Sequence, residues 1–351
     1  MSFQRLAPRQ HDTLDGVPEP SEHGFLFGHE ATSAMLAGAY RAAKLHHALL
    51  LAGPAGIGKA TLAFRLAHHL LVNPAGERAP GSLVQPDPSS AIFRSVAQGA
   101  HPSVLHLTRP FDERTKKFKT VISVDEVRRV SRFLSMTAHD GGWRTVIVDP
   151  ADDLNTAAAN ALLKNLEEPP AKTVFVLVTH RPGRLLPTIR SRCQLIQLSP
   201  LTEQEVSQAF GALGLALPSE PSQLASLLAR SQGSVRKAIM LTEYGGLEIA
   251  DAVDGVLAAR VFDVAAAVRV ADAVNGRDRS QQFGMLVEHL EARLGDAAGR
   301  HALGGDLTAA ERIANVWTEF VRKGAEAEAY NLDRRQYVTD SLMKVHSALA
   351  A

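Results

Sequence analysis

Gly53-Pro54-Ala55-Gly56-Ile57-Gly58-Lys59 stands between an apolar run, Ala48–Leu51, and a helical pattern, Ala60–Leu71. In a strand-loop-helix setting, such glycines let backbone N–H groups surround phosphates, the helix N-terminus faces them, and the lysine reaches the terminal phosphates. The spacing therefore predicts a nucleotide-phosphate site built on Gly53, Gly56, Gly58 and Lys59. The next position should carry a hydroxyl that ligates Mg²⁺, and it is Ala60. Thr61 is a poor substitute, because one helical residue turns the side chain by about 100° around the axis. The second half of such a site is a buried strand ending in an acid, here Arg144-Thr-Val-Ile-Val-Asp149, and Pro150 follows it. Proline carries no proton acceptor and positions no water. Asp152 and Asp153 lie past the strand end and read as helix N-caps.

These residues need a scaffold, and the chain supplies one. Five runs rich in Val, Ile and Leu, at Ala48–Leu51, Ser103–Leu107, Thr145–Asp149, Val174–Val178 and Gln194–Leu198, alternate with helical patterns such as Asp125–Met136 and Asn155–Glu167. That alternation predicts an α/β domain, a parallel five-stranded sheet with helices on both faces. After Leu198 the strand signal stops. Thr202 and Glu205 form a capping box, a second helix follows at about Gln223–Ser231, and a small helical domain runs to about Glu243. From Gly246 the spacing of Phe283, Leu286, Leu290 and Leu294 predicts an all-helical domain. The expected division is an arm at 1–24, polar and read as loose, a P-loop domain at 25–200, a helical domain at 201–244 and an all-α domain at 245–351.

Composition narrows the function classes. The chain has 351 residues, 45% hydrophobic and 21% charged, as expected of a globular protein. Lys plus Arg number 38 against 37 for Asp plus Glu, so no global charge draws it to nucleic acid or anionic lipid. A single cysteine, Cys193, excludes an internal disulfide and a four-cysteine zinc site. No apolar targeting segment and no run of about 18 apolar residues is found, so the expected location is cytoplasmic, with no membrane partner.

Thr179 ends the fourth strand, and Leu185-Leu-Pro-Thr-Ile-Arg190-Ser191-Arg192-Cys193 precedes the fifth. An arginine there faces outward, where it either pairs with a surface carboxylate or enters a neighbour's nucleotide site. These stretches, together with Phe27-Gly-His-Glu30, Leu45-His-His-Ala48, Val124-Asp-Glu-Val-Arg128, Ala157–Pro170 and Gly233-Ser-Val-Arg236, resemble the bacterial clamp-loader ATPases of DNA polymerase III, a branch of the AAA+ family. The resemblance spans about residues 25–240. The last third resembles the family's helical collar only in character and in Tyr330-Asn-Leu-Asp-Arg334.

The resemblance implies further roles. Thr179 takes the place of the polar sensor and Arg236 that of the second sensor. Active AAA+ enzymes have Glu directly after the strand-end Asp, to orient water, where this chain has Pro150. Ala60 and Pro150 place the chain with a subunit that does not hydrolyse ATP and acts as a stator. Its Ser-Arg-Cys arginine, Arg192, completes a neighbour's site in trans. The implied assembly is a ring with gamma/tau and delta subunits that loads the sliding clamp onto primer-template DNA. ATP or ADP is then bound at most, without hydrolysis, by Gly53, Gly56, Gly58, Lys59, Thr61, Asp149, Thr179 and Arg236. No cofactor is required, and no zinc or other metal is expected, since the cysteines of the family's zinc module are absent from 73–100. Two alternatives stay open: an active ATPase using Thr61 and Asp152 as replacements, and an AAA+-like DNA-binding adaptor outside replication.

Other features have plainer readings. His46-His47 and His68-His69 lack further ligands at metal-site spacing and read as packing or surface residues. Glu167-Glu168 reads as structural, and the basic run Arg109–Lys119 as a solvated loop.

Overall fold

The computed structural model describes residues 4–136, 141–276, 279–330 and 333–350. In chain order the elements are α1 (Glu30–Arg41), β1 (Ala48–Ala52), α2 (Lys59–Val72), α3 (Ala91–Ala97), β2 (Val104–Leu107), β3 (Phe111–Asp112), β4 (Lys117–Phe118), α4 (Val124–Ser135), β5 (Arg144–Val148), α5 (Thr156–Glu167), β6 (Thr173–Thr179), α6 (Pro187–Arg190) and β7 (Gln194–Gln197). They continue as α7 (Glu203–Leu213), α8 (Pro221–Ser231), α9 (Val235–Glu243), α10 (Gly246–Ala258), α11 (Val264–Ala273), α12 (Ser280–Leu303), α13 (Leu307–Tyr330) and α14 (Arg334–Ala350). Two compact units result: Met1–Leu224 with Ser231–Arg236, and Ala225–Arg230 with Lys237–Ala351.

The first unit is built on a five-stranded sheet in the order β2-β5-β6-β1-β7. All neighbours run parallel, with Leu50 of β1 opposite Leu177 of β6 and Leu195 of β7. A parallel sheet is covered on both faces, so its central strands are apolar on both sides. β1, β5 and β6 are buried along their whole length. Side chains alternate between two cores. Leu49, Leu51, Val174 and Val176 pack with α1 and α2 residues such as Leu36, Leu62 and Leu66, while Leu50, Val146, Val148, Phe175 and Leu177 pack with Val127, Val130, Leu162 and Leu166 of α4 and α5. The strands thereby end together beside the loop that begins α2.

The helix starts obey local chemistry. Ser90 caps α3 and Asn155 caps α5, each accepting the N–H three residues on, and Thr202 with Glu205 forms the expected box at α7. Asp152 and Asp153 are therefore not the caps of α5: they form a 3-10 turn, Ala151–Asp153, whose carboxylates reach elsewhere. The run 109–119 also departs from a plain loop. It folds into the antiparallel hairpin β3–β4, with Phe111 edge-on to Phe118 at 5.1 Å.

The arm is not loose over the described residues 4–24. The Arg5 guanidinium donates to Glu19 at 2.7 Å and to the Leu14 and Val17 carbonyls at 2.8 Å each. Glu22 accepts from the Leu6, Ala7 and Glu19 amides, and Thr13 donates to Glu19 at 2.5 Å. Ala7, Thr13, Leu14 and Glu19 are buried. A buried, polar Arg5 cluster, rather than an apolar stripe, holds this segment in one shape.

Among the described residues of the second unit, every regular element is a helix. Phe283, Leu286, Leu290 and Leu294 of α12 all face its core, joined by Val253, Ile313, Leu342 and Val345. Fully burying each such leucine contributes roughly 2 kcal/mol, which makes α12 the spine of this unit. Of the Tyr330–Arg334 stretch, Asn331 and Leu332 lie outside the described residues.

Candidate nucleotide-phosphate site

Gly53, Gly56 and Gly58 adopt φ of 155°, 76° and 98°, conformations that side-chain-bearing residues seldom hold. The loop leaves β1, turns on these glycines and enters α2 at Lys59, so the strand-loop-helix context is present. Gly56 is also a point of close approach. A Cβ there would lie 2.5 Å from Arg236 Cβ and closer still to Ser234 Oγ. The Gly233–Arg236 segment thus lies directly on the loop, and the Arg236 amide points to the Gly56 carbonyl at 3.5 Å. On the loop's other side, His29 is within 2.7 Å of the Ile57 carbonyl. This explains the Phe27–Glu30 motif: one of its residues braces the phosphate loop.

Lys59 is 3% exposed and donates to the Gly53 carbonyl at 2.7 Å and to the Pro54 carbonyl. Burial lowers its pKa to about 8, against the opposing pull of Asp149 and Asp152. Asp149 directly follows β5, with its carboxylate 3.9 Å from His106 Nε2. Burial, reinforced by the Asp12 charge, pushes its pKa up to about 7 although Lys59 draws it down. Both shifts share one largest cause, burial, which disfavours charge and so makes the ammonium release its proton more readily and the carboxyl keep its own.

Pro150 follows Asp149, so the next acid is Asp152, and it is already engaged. Its carboxylate accepts the Thr179 hydroxyl at 2.8 Å and the His180 and Arg181 amides at 2.6 and 3.3 Å. Asp153 takes Arg109 in a two-pronged pair at 2.5 and 2.8 Å. Thr61 sits partly exposed in the first turn of α2. Taken together, the loop fits a phosphate group through its glycines and Lys59. It does not fit a magnesium ion held as in a hydrolytic site, because Ala60 offers no hydroxyl and Pro150, not an acid, stands directly after Asp149.

Arg236, expected as a nucleotide contact, is turned toward the arm. It forms an ion pair with the Asp12 carboxylate at 3.2 Å and donates to the Asp12 carbonyl. The arm's Gln10 accepts from Thr108, which follows β2, at 2.6 Å. Sequence reasoning missed Asp12, which belongs to no recognised spacing, and the role of His29, whose motif does not show its bond to the loop. The available signal was the concentration of Arg5, Glu19 and Glu22 around Pro20 in a short polar segment.

Arg192, at the sheet end beyond α6, is partly exposed. It pairs with Glu167 of α5 at 2.5 Å and donates to the Thr188 carbonyl at 2.9 Å. Burial raises the neighbouring Cys193 thiol to about 11, so it is no nucleophile. The histidine pairs do structural work. His46 and His47 stack at 4.4 Å and bond to the Ala48 and Leu166 carbonyls. His69 accepts the Val84 amide and is lowered to about 4 by burial.

The family model described as "DNA polymerase III, delta subunit" matches residues 28–202. The chain is 43% identical to DNA polymerase III subunit delta' of Pseudomonas aeruginosa over 190 residues, 54% of this chain and 53% of that one. It is 38% identical to the Escherichia coli subunit delta' over 207 residues, 56% of this chain and 58% of that one. It is 28% identical to subunit tau/gamma of Haemophilus influenzae over 251 residues, 69% of this chain and 32% of that one. The aligned part spans a little over half the length of the first two relatives. The matched segment contains the phosphate loop, the Asp149 strand and the Ser191-Arg192-Cys193 turn described above, and on this match the chain belongs to the delta-prime family of DNA polymerase III subunits.

Proposed function

We propose that this chain is the non-hydrolysing stator of a clamp-loader complex of DNA polymerase III, working with gamma/tau and delta subunits to place the sliding clamp on primed DNA. In this role the sheet domain grips a nucleotide at most, the all-helical unit is the collar through which the ring assembles, and Arg192 enters the site of a neighbouring ATPase. The observation that carries the reading is the fate of the acids after β5. Pro150 stands where a water-orienting carboxylate belongs, Asp152 has its oxygens committed to Thr179, His180 and Arg181, and Asp153 is paired with Arg109. The same commitment argues against an active motor that uses Asp152 in place of the missing acid.

Chemically, the supporting role needs little beyond position. A guanidinium delivered to a neighbour's transferring phosphoryl group stabilises its charge and accelerates that site by about 10³-fold or more. Before assembly the Glu167 carboxylate and Thr188 carbonyl hold that guanidinium at the surface. Both partners are exposed, so the pair is worth under about 1 kcal/mol and exchanges readily for a phosphate.

The test is a reconstituted ring carrying Arg192→Ala. It should assemble with unchanged stoichiometry while turnover at the adjoining site drops by about 10³-fold, and the purified chain alone should release no phosphate from MgATP. Wild-type turnover in the Arg192→Ala ring, or phosphate release by the lone chain that disappears with Lys59→Ala, refutes the assignment.

A further inference from the structure

The arm, the phosphate loop and Arg236 meet in one place, and their chemistry is that of a ligand and its site. Arg236 comes from the segment packed against Gly56, the loop glycine that any phosphate-binding use would require. Its guanidinium is held by an anion and a carbonyl, both from Asp12. Asp12 lies close enough to the buried centre for its charge to act on Asp149, His106 and His180 together. The arm's shape is fixed independently by the Arg5-Glu19-Glu22 cluster, and Gln10 anchors it to Thr108. A carboxylate presented this way is tethered and ordered in advance, so little conformational entropy is lost when it engages the arginine.

We propose that residues 5–22 form a built-in plug of the phosphate site, with the Asp12 carboxylate occupying Arg236 in place of a nucleoside triphosphate's terminal phosphates. Nucleotide and arm then compete: binding of the polyphosphate displaces Asp12 from Arg236, and an engaged arm lowers the affinity for the polyphosphate. The affinity of the intact protein is the intrinsic affinity multiplied by the fraction of molecules with the arm released. This inference rests on the reading of Gly53–Lys59 as a phosphate loop, and it is independent of the part assigned to Arg192.

The test uses the full chain and a fluorescent ATP derivative, N-methylanthraniloyl-ATP, titrated by anisotropy. Asp12→Asn keeps the shape and removes the charge, and Arg5→Ala loosens the arm at a distance from the site. Each should tighten binding about fivefold, the size expected of a partly exposed charge pair, and Lys59→Ala in the Asp12→Asn background should abolish it. Saturation with ATP should also speed hydrogen exchange at the amides of residues 5–22 in the wild-type protein. Equal affinities in folded wild-type and variant proteins overturn the plug. So does binding that leaves arm exchange unchanged, and so does a lack of binding in all of them, since the loop itself then excludes nucleotide. A ring whose ATPase still depends on Arg192 in any of these cases separates failure of the plug from failure of the stator assignment.

Discussion

Replacing Asp149 with Asn tests how the charges in the phosphate site are distributed. In the folded chain burial pushes this carboxyl up to about 7 from an ordinary value of 3.8. Between those values the native state holds a proton that the unfolded state has released. Stability therefore falls as pH rises from about 4 to about 7 and is level above, because the slope follows the difference in bound protons. The full span of about three pK units corresponds to roughly 4 kcal/mol. Solvent screening of the side chain, which is 19% exposed, reduces this to about 1–2 kcal/mol. Asn keeps the shape and cannot ionise, so Asp149→Asn should match wild type near pH 4 and exceed it increasingly up to pH 7. For a unit of this size the gain is about 3–6 °C in Tm. Thermal melts at half-unit pH steps, followed by circular dichroism, provide the measurement. A variant that is less stable than wild type above pH 5 refutes the reasoning, because the Asp149 carboxylate would then be paired with a cation, and Lys59 would be turned toward it rather than toward its own loop carbonyls.

Two further substitutions examine the frame around the site. Gly56→Ala places a methyl group against Ser234 and Arg236 at a φ of 76°, and should cost about 2–4 kcal/mol in a denaturant titration through strain and overpacking; an unchanged midpoint would mean that the Gly233–Arg236 segment does not lie on the loop. Arg109→Ala strands the Asp153 carboxylate, which is 12% exposed, and should cost about 2 kcal/mol, whereas Lys116→Ala, paired with a well-exposed Glu113, should cost under about 0.5 kcal/mol; equal costs would place Arg109 in solvent.

Much of the sheet domain is legible in the residues because its signals are local and redundant. Apolar runs two-sidedly buried in a parallel sheet cannot hide, and the strands read from them lie within a residue or two of β1, β2, β5, β6 and β7. The glycine loop is equally plain, since strand, glycines, lysine and helix each point to it. The hairpin β3–β4 is harder to read: strands of two residues are too short to show an alternating period, and only the Phe111–Phe118 ring pair identifies them. Asp152 and Asp153 mislead for a related reason. An acid just before a helix ordinarily caps it, but Asn155 stands closer and takes that place, which frees both carboxylates for longer reaches.

The arm shows where local reading stops. Nothing in residues 4–24 has the period of a helix or a strand, and a polar segment with prolines usually stays mobile. Here one guanidinium, Arg5, gathers two carbonyls and Glu19, while Glu22 ties down three backbone amides. Each hydrogen bond to a charged group contributes about 1.5–3 kcal/mol when partly buried, and several of them offset the entropy of ordering a short stretch. That order has a consequence for the site, because it presents Asp12 to Arg236 instead of leaving the arginine to solvent. The lack of a hydroxyl at position 60 and of an acid at position 150 affects how a bound nucleotide would react, whereas the Asp12–Arg236 pair affects whether it binds. The first disability is written in two residue types and the second only in how the chain folds back on itself, so substitutions at 60 and 150 alone should leave the entry of nucleotide unchanged.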